Sequence, residues 1–437
     1  MTTASEGQEL TRVGPGTPMG ALMRQYWLPA VKSSELVAGG DPVRLMLLGE
    51  KLIAFRDTTG RVGVMDHRCP HRCASLFYGR NEVGGMRCVY HGWKFAADGQ
   101  CLEMPNLPPE QDFSAKVRAK AYQVTERAGV IWVYMGARDV APPMPEIEAT
   151  LLPDSELSLN FTLRECNWLQ ALEGDIDTSH FSWLHVGSVR PEQVDPDNWL
   201  QYQVVNRAPE YQVGDTDWGT MYCAFRPAEH SQTYWRFAHF AFPFWTFIPQ
   251  GAFADRVIAR AWVPMDDTHV MFVGFSWKQA SRTAVLKDGE QIPGSTPAPD
   301  YQPNSTDWFG RWRPVQNAAN DYLIDRDAQR NDVIYTGITH IAMQDQAITE
   351  SMGEIVDHTW EHLAPSDQMI TRTRRRLLMA ARELRDKAVV PPCVDTPEIF
   401  QRVRSGECVL AAADWQAAYE ERLHQAIHPE ALKAAAE

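Results

Sequence analysis

The sequence contains no uninterrupted apolar run of the roughly eighteen or more residues that a membrane-spanning helix needs, so a membrane role is not expected. Its opening stretch, MTTASEGQELTRVGPGTPMG, has no charged start followed by an apolar core. That predicts no secretory leader, and cytoplasm is the expected compartment. Basic charge is also in short supply. The net charge of −14 leaves no basic face for phosphate binding and excludes nucleic acid as an expected partner. It also means that a pocket for an anionic substrate must supply its own cations. The basic run RTRRRLLMAARELR, around Arg374, is expected to be the solvated face of a helix. Cysteine is sparse: of eight, six are scattered singly (Cys73, Cys101, Cys166, Cys223, Cys393 and Cys408), which is no disulfide framework.

The chain is too long, at 437 residues, for one ordinary core, and two domains are expected. Residues 1–40 read as an N-terminal helical segment. Over 41–140 the pattern turns to β: PVRLMLLGEKLIAFRDTTGRVGVMD alternates around a glycine turn, and RAGVIWVYMG closes the block. A proline-rich stretch over 141–155 reads as a linker. The remainder, 156–437, mixes strand patterns such as YWRFAHFAFPFWTFIP with late helices, and a polar insertion loop is expected near 281–310. The expected class is therefore α+β, an all-β N-terminal domain followed by a domain with an antiparallel sheet flanked by helices.

The two remaining cysteines stand in CPHRCASLFYGRNEVGGMRCVYHGWKF, as Cys69-x-His71 and Cys88-x-x-His91. A structural zinc finger pairs cysteine with cysteine first and histidine with histidine later. Here each short loop carries one of each. That division suits a two-iron cluster in which one iron takes both thiolates and the other both imidazoles, the chemistry of a Rieske [2Fe–2S] centre; a zinc knuckle is the alternative. Pro70 stiffens the first loop, Gly92 allows a close turn behind His91, and Tyr90 and Trp93 can shield the ligands. Cys73 finds no partner in CVYH and is expected to be a small buried thiol.

The second motif, EGDIDTSHFSWLH, brings Asp177, His180 and His185 together, with Glu173 and Asp175 upstream. Two histidines and a carboxylate form the facial triad of non-haem Fe(II) oxygenases, which leaves positions open for dioxygen. Five residues apart, His180 and His185 lie about 140° apart on a regular helix. They can share a metal only if the helix ends, kinks or bulges between them. Local chemistry does not choose the third ligand among Asp345, Glu350, Asp332 and Glu173.

With both motifs in one chain, the sequence resembles the oxygenase component of Rieske non-haem iron aromatic-ring oxygenases over nearly its whole length. MGALMRQYWLPA, the Cys/His stretch, VPMDDTH and QDQAITESMG look like the phthalate 4,5-dioxygenase branch. Cys73 departs from the glycine usual there. The resemblance implies that Cys69, His71, Cys88 and His91 hold the cluster and that His180, His185 and Asp345 bind the iron. It further implies that Asp177 bridges a catalytic histidine to a Rieske histidine of a neighbouring subunit. It implies a head-to-tail trimer, or two stacked trimers, and a flavin and iron–sulfur reductase that passes electrons from NADH to the cluster. Electrons would then run through His91, Asp177 and His180 of adjacent subunits.

The expected reaction is cis-dihydroxylation of an aromatic acid by O2, with phthalate as the leading substrate. Arg207 and Arg236 are candidate carboxylate forks, because an arginine fork matches a carboxylate and both lie in the β region. O- or N-demethylation of an aromatic acid or amine is the alternative chemistry, and formaldehyde release would reveal it. An electron-transfer protein without catalysis is a more distant alternative, which a second intact metal site argues against.

Overall fold

The computed structural model of the chain describes residues 2–253, 257–278, 285–295, 299–411 and 414–426. Two short helices open it: α1 (Ala4–Thr11), capped by Thr3 and Glu6 in a reciprocal box, and α2 (Pro18–Met23), capped by Thr17 with proline at its first position. The segment 1–40 is not helical throughout, because β1 (Trp27–Lys32) follows within it. Trp27 to Val31 are all buried, so β1 shows none of the alternation that marks a half-exposed strand. Pro29, which donates no ladder hydrogen bond, sits where the pairing register shifts.

The chain continues through β2 (Val43–Leu47), β3 (Glu50–Arg56) and β4 (Val62–Asp66), then the short strands β5 (Arg80–Glu82), β6 (Gly85–Arg87), β7 (Lys94–Phe95) and β8 (Cys101–Glu103). It returns through β9 (Ala121–Arg127) and β10 (Val130–Tyr134). These form a six-stranded antiparallel sheet in the order β1-β10-β9-β4-β3-β2 and a four-stranded sheet β5-β6-β7-β8. A small core of Ile53, Phe55, Met65, Leu76, Met86 and Phe95 lies between them and includes Cys69 and Cys88.

The second region begins with β11 (Leu157–Arg164), α3 (Trp168–Ile176) and α4 (Leu200–Val205). Its strands β12 (Glu210–Asp215), β13 (Gly219–Pro227), β14 (Thr233–Ala241), β15 (Trp245–Phe247), β16 (Ile258–Pro264) and β17 (Val270–Trp277) follow. Helices α5 (Arg326–Arg330), α6 (Ile341–Ser351) and α7 (Gln368–Lys387), then β18 (Gly406–Leu410) and α8 (Trp415–Ala426), complete the described chain. The antiparallel sheet runs β11-β17-β16-β15-β14-β13-β12, with β18 paired to β14. The class is thus α+β.

The large core is continuous across the two regions: Trp132 of β10 stacks on Trp245 and Phe275 at 5.9 Å. The proline-rich 141–155 is no free tether, since Ile147, Ala149 and Thr150 are buried. Of the expected loop near 281–310, residues 281–284 and 296–298 lie outside the described residues. Its residue Gly294 accepts a hydrogen bond from the His340 N–H just before α6.

Asn167 caps α3 by accepting from the Leu169 N–H at 3.0 Å. Gly174 lets α3 and α6 approach closely, for a Cβ there would stand 3.2 Å from Thr349 Cγ2. The basic run on α7 is not wholly solvated. Arg374 is buried and clamps Glu173 of α3 with two hydrogen bonds of 2.6 Å, while also binding Glu361. A guanidinium enters this interior because two carboxylates meet its fork.

Candidate metal centres and active site

The Cys/His loops are built alike. Cys69 N–H donates to Ala74 O and Cys73 N–H to Cys69 O; Cys88 N–H donates to Trp93 O and Gly92 N–H to Cys88 O. Each loop therefore closes the same tight turn around one cysteine and one histidine. Cys73 and Gly92 occupy matching places, both left-handed, with φ of 60° and 76°. The departure at Cys73 therefore puts a side chain where glycine is favoured. Cys73 is exposed, contrary to the expected buried thiol, because the turn directs it away from the small core.

The two thiols are buried and the two imidazoles half-buried, with His71 and His91 ring centroids 4.4 Å apart. Trp93 stacks on His71 at 4.4 Å and donates its indole N–H to Asn106. Tyr90 covers His91. Burial, with Cys88 beside it, pushes the Cys69 thiol up to about 12, so a cation must be present for it to ionise at neutral pH. Among the described residues, no three members of this quartet bring ligand atoms within 4.8 Å of one another. A single zinc ion would draw them closer than that, whereas two irons with bridging sulfides fill such a space.

His180, His185 and Asp345 do converge, with one ligand atom of each within 4.8 Å of the others. α3 ends at Ile176, and the turn Phe181–His185 is a π-helix closed by Val186 N–H donating to Phe181 O. This wider turn is the irregularity that the five-residue spacing demands. Asp345 comes from α6, packed against α3 at Gly174. Its Oδ1 stands 3.5 Å from His180 Nε2 and 3.1 Å from His185 Nε2.

Both imidazoles are held from behind. His185 Nδ1–H donates to Gln344 Oε1 at 2.7 Å, and Gln344 Nε2 donates to Ile338 O at 2.8 Å. His180 Nδ1 lies 3.5 Å from Asp177 Oδ2, while Asp177 Oδ1 accepts from the Ser179 N–H and hydroxyl. Each Nε2 is left as the free lone pair. Burial opposes charge on His180, but Asp177, Asp345 and Asp175 outweigh it and lift its imidazole to about 9. Burial pushes Asp345 up, yet His185, His180 and Arg164 hold it well below the ordinary carboxylate range. The cluster favours a cation at its centre, and its N,N,O donor set fits Fe(II) with open positions.

The other carboxylates raised as third ligands are engaged elsewhere. Glu173 binds Arg374, Glu350 binds Tyr322 and Gln346, and Asp332 accepts from Ser188. The arginines proposed as carboxylate forks are also engaged. Arg207 donates to the carbonyls of Gly187 and Val189, bracing the chain just after His185. Arg236 is buried and paired with Glu407 at 2.9 Å, with further bonds to Thr178 and Pro249. The partner that a lone charge in an apolar strand requires is therefore Glu407. Gln344 escaped the sequence reading, although its place beside Asp345 was a signal.

Two families match the chain: the Rieske [2Fe-2S] domain over residues 26–123 and the LigXa C-terminal domain-like family over residues 133–435. The 3-chlorobenzoate-3,4-dioxygenase oxygenase subunit of Comamonas testosteroni is 52% identical, covering 97% of this chain and 99% of that protein. The phthalate 4,5-dioxygenase oxygenase subunit of Pseudomonas putida is 37% identical over 87% and 86%. The 5,5'-dehydrodivanillate O-demethylase oxygenase subunit of a Sphingobium species is 32% identical over 86% and 80%. Among solved structures, Pseudomonas putida CBB5 NdmA with caffeine shares the fold, with a TM-score of 0.57 at 16% identity over 91% of this chain and 99% of that one. Matched by the two families over residues 26–123 and 133–435 and by oxygenase subunits over most of its length, the chain belongs to the Rieske non-haem iron oxygenases, as an oxygenase component that uses a [2Fe–2S] cluster, a mononuclear iron and NADH-derived electrons delivered by a reductase.

Proposed function

We propose that the protein adds both atoms of O2 to an aromatic carboxylate, with His180, His185 and Asp345 as the iron ligands and Cys69, His71, Cys88 and His91 as the cluster ligands. The convergence of His180 Nε2, His185 Nε2 and one Asp345 oxygen carries this reading. When bound, the cluster supplies single electrons and the mononuclear iron supplies a site for dioxygen. The triad residues do no acid–base work. Gln344 and Asp177 fix the two rings in one tautomer and one orientation.

Asp177 is proposed as the bridge between subunits. Among the described residues, no hydrogen bond, ion pair or ring contact joins the Cys/His loops to Asp177, His180, His185 or Asp345. Tyr90 is 53% exposed beside His91, and Trp183 is 51% exposed on the turn between the iron histidines. The Asp177 side chain keeps 24% exposure. These open edges suit a head-to-tail ring in which one subunit's cluster faces another's iron, as a trimer or a pair of stacked trimers. A flavin and iron–sulfur reductase is proposed as the electron donor.

A chlorobenzoate is the better-supported substrate class and phthalate the second, in line with identities of 52% and 37% to the respective relatives. The experiment is turnover with NADH and a phthalate-type reductase against chlorobenzoates, phthalate and methoxybenzoates under labelled dioxygen. Two labelled atoms in a cis-dihydrodiol of a chlorobenzoate are expected. One labelled atom with formaldehyde from a methoxybenzoate would instead identify a demethylase.

A further inference from the structure

The sequence places Asp175 beside the iron motif, and the triad does not use it. Its side chain is only 8% exposed and reaches across to the sheet. Oδ1 accepts from Arg260 Nη1 at 2.5 Å, and Oδ2 accepts from the Thr246 hydroxyl at 2.5 Å and the Trp262 indole N–H at 3.2 Å. Thr246 of β15 and Arg260 of β16 are directly paired, and Trp262 lies two residues further along β16 on the same face. Thr246 and Trp262 are buried. Three donors from one sheet thus converge on one carboxylate, which is how such a charge is retained in an interior.

Successive residues of a helix point about 100° apart. In the last turn of α3 this sends three neighbours to three different elements. Glu173 binds Arg374 of α7, Gly174 lies against Thr349 of α6, and Asp175 is tied to β15 and β16. α3 stops one residue later, at Ile176. Asp177 follows as its cap and donates its N–H to Glu173 O at 3.1 Å, so the placement of this turn fixes where Asp177 begins. The link onward to His180 is short, and Thr178 within it is held to the same sheet by Arg236 at 3.1 Å.

We propose that Asp175 is a positioning residue for the iron site: its three hydrogen bonds fix the end of α3 against the sheet and set the direction in which Asp177 and His180 leave the helix. It is no ligand itself and acts through those two residues. The proposal rests on reading His180, His185 and Asp345 as the iron ligands. A small displacement suffices, because a ligand set is productive only within about 0.5 Å and 10–20° of its geometry.

The test uses the full chain loaded with cluster and Fe(II), with nitric oxide as a probe of the mononuclear iron by electron paramagnetic resonance. Wild type should give the signal of a nitric oxide adduct, and Asp345→Ala should lose it. A wild type without that signal overturns the triad reading and this proposal together. Given the signal, Asp175→Asn should change its shape and weaken Fe(II) binding by roughly 10-fold to 100-fold in chelator competition, with the Rieske spectrum unmoved. Glu35→Gln is the control for lost stability. Glu35 is likewise held by an arginine and an indole, those of Arg311 and Trp312, but lies on neither α3 nor α6. Below its melting temperature, its iron signal and affinity should match wild type. If Asp175→Asn melts earlier yet keeps the wild-type signal and an affinity within about threefold, Asp175 is an ordinary buried ion pair and the proposal alone is overturned. Equal iron loss in Glu35→Gln overturns it as well. Should Asp175→Asn fail to fold, Thr246→Val removes one of the three donors at nearly the same shape, and the same two iron readouts decide with the same outcomes.

Discussion

Replacing Gln344 by leucine removes the acceptor that holds His185 Nδ1–H and leaves every proposed iron ligand in the sequence unchanged. The side chain is buried, accepts from His185 Nδ1–H at 2.7 Å and donates to Ile338 O at 2.8 Å. Leucine fills most of the volume but leaves His185 Nδ1–H without its acceptor and Ile338 O with the long 3.4 Å bond from the Thr336 hydroxyl. An unsatisfied buried group costs about 1–3 kcal/mol, so a stability loss of about 1–3 kcal/mol is expected. The effect on the metal is separate: outer partners of ligating histidines are worth roughly 10–100-fold in affinity, or about 1.4–2.7 kcal/mol. Fe(II) dissociation constants from chelator competition measure this, with the visible Rieske absorption as an internal reference that should not move. Gln344→Glu, which keeps an acceptor facing Nδ1, should recover most of the loss. Iron affinity in Gln344→Leu within about threefold of wild type would refute the reasoning that this hydrogen bond orients the ligand.

Arg374→Met should destabilise the fold by about 3–5 kcal/mol in denaturant unfolding, because it leaves the buried Glu173 carboxylate without the guanidinium that pairs it and half-buried Glu361 with His358 alone. Burial raises the Glu361 carboxyl, but Arg374 and His358 outweigh that and hold it at about 2 against an ordinary 4.5. Its contribution is therefore complete above 4.5 and is lost as pH falls toward 2, and this acid limb of the melting temperature should shrink in Arg374→Met. Gly174→Val should push α6 off α3, lowering iron retention at a cost of about 1–3 kcal/mol by thermal melting, while Gly174→Ala meets only Thr349 Cγ2 and should be tolerated. Cys73→Gly should leave the Rieske spectrum unchanged and not destabilise the fold. Cys73→Val, with a branched side chain at φ 60°, should cost about 1–2 kcal/mol.

Sequence alone exposed most clearly what is local in the chain. Cys69, His71, Cys88 and His91 sit in two short loops, and their order already separates an iron–sulfur cluster from a zinc finger. The five-residue gap between His180 and His185 forecast the break in helical geometry that the π-turn supplies. Asp345 was different. It reaches the histidines only through the packing of α6 on α3, which local chemistry could not foresee, and resemblance selected it. β1 was hidden because a strand covered on both faces loses its period of two. Arg374 was hidden because a run of arginines looks solvated until one of them finds Glu173. Arg236 looked like a ligand fork because Glu407 pairs with it across the sheet from 171 positions away.

The most direct test of the account is the iron, zinc and acid-labile sulfide content of the purified protein, measured beside Asp345→Ala. The account predicts about three irons and two sulfides per chain in the wild type, falling to about two irons with the sulfide unchanged in the variant. Zinc without sulfide, or the same iron content in both proteins, would contradict it.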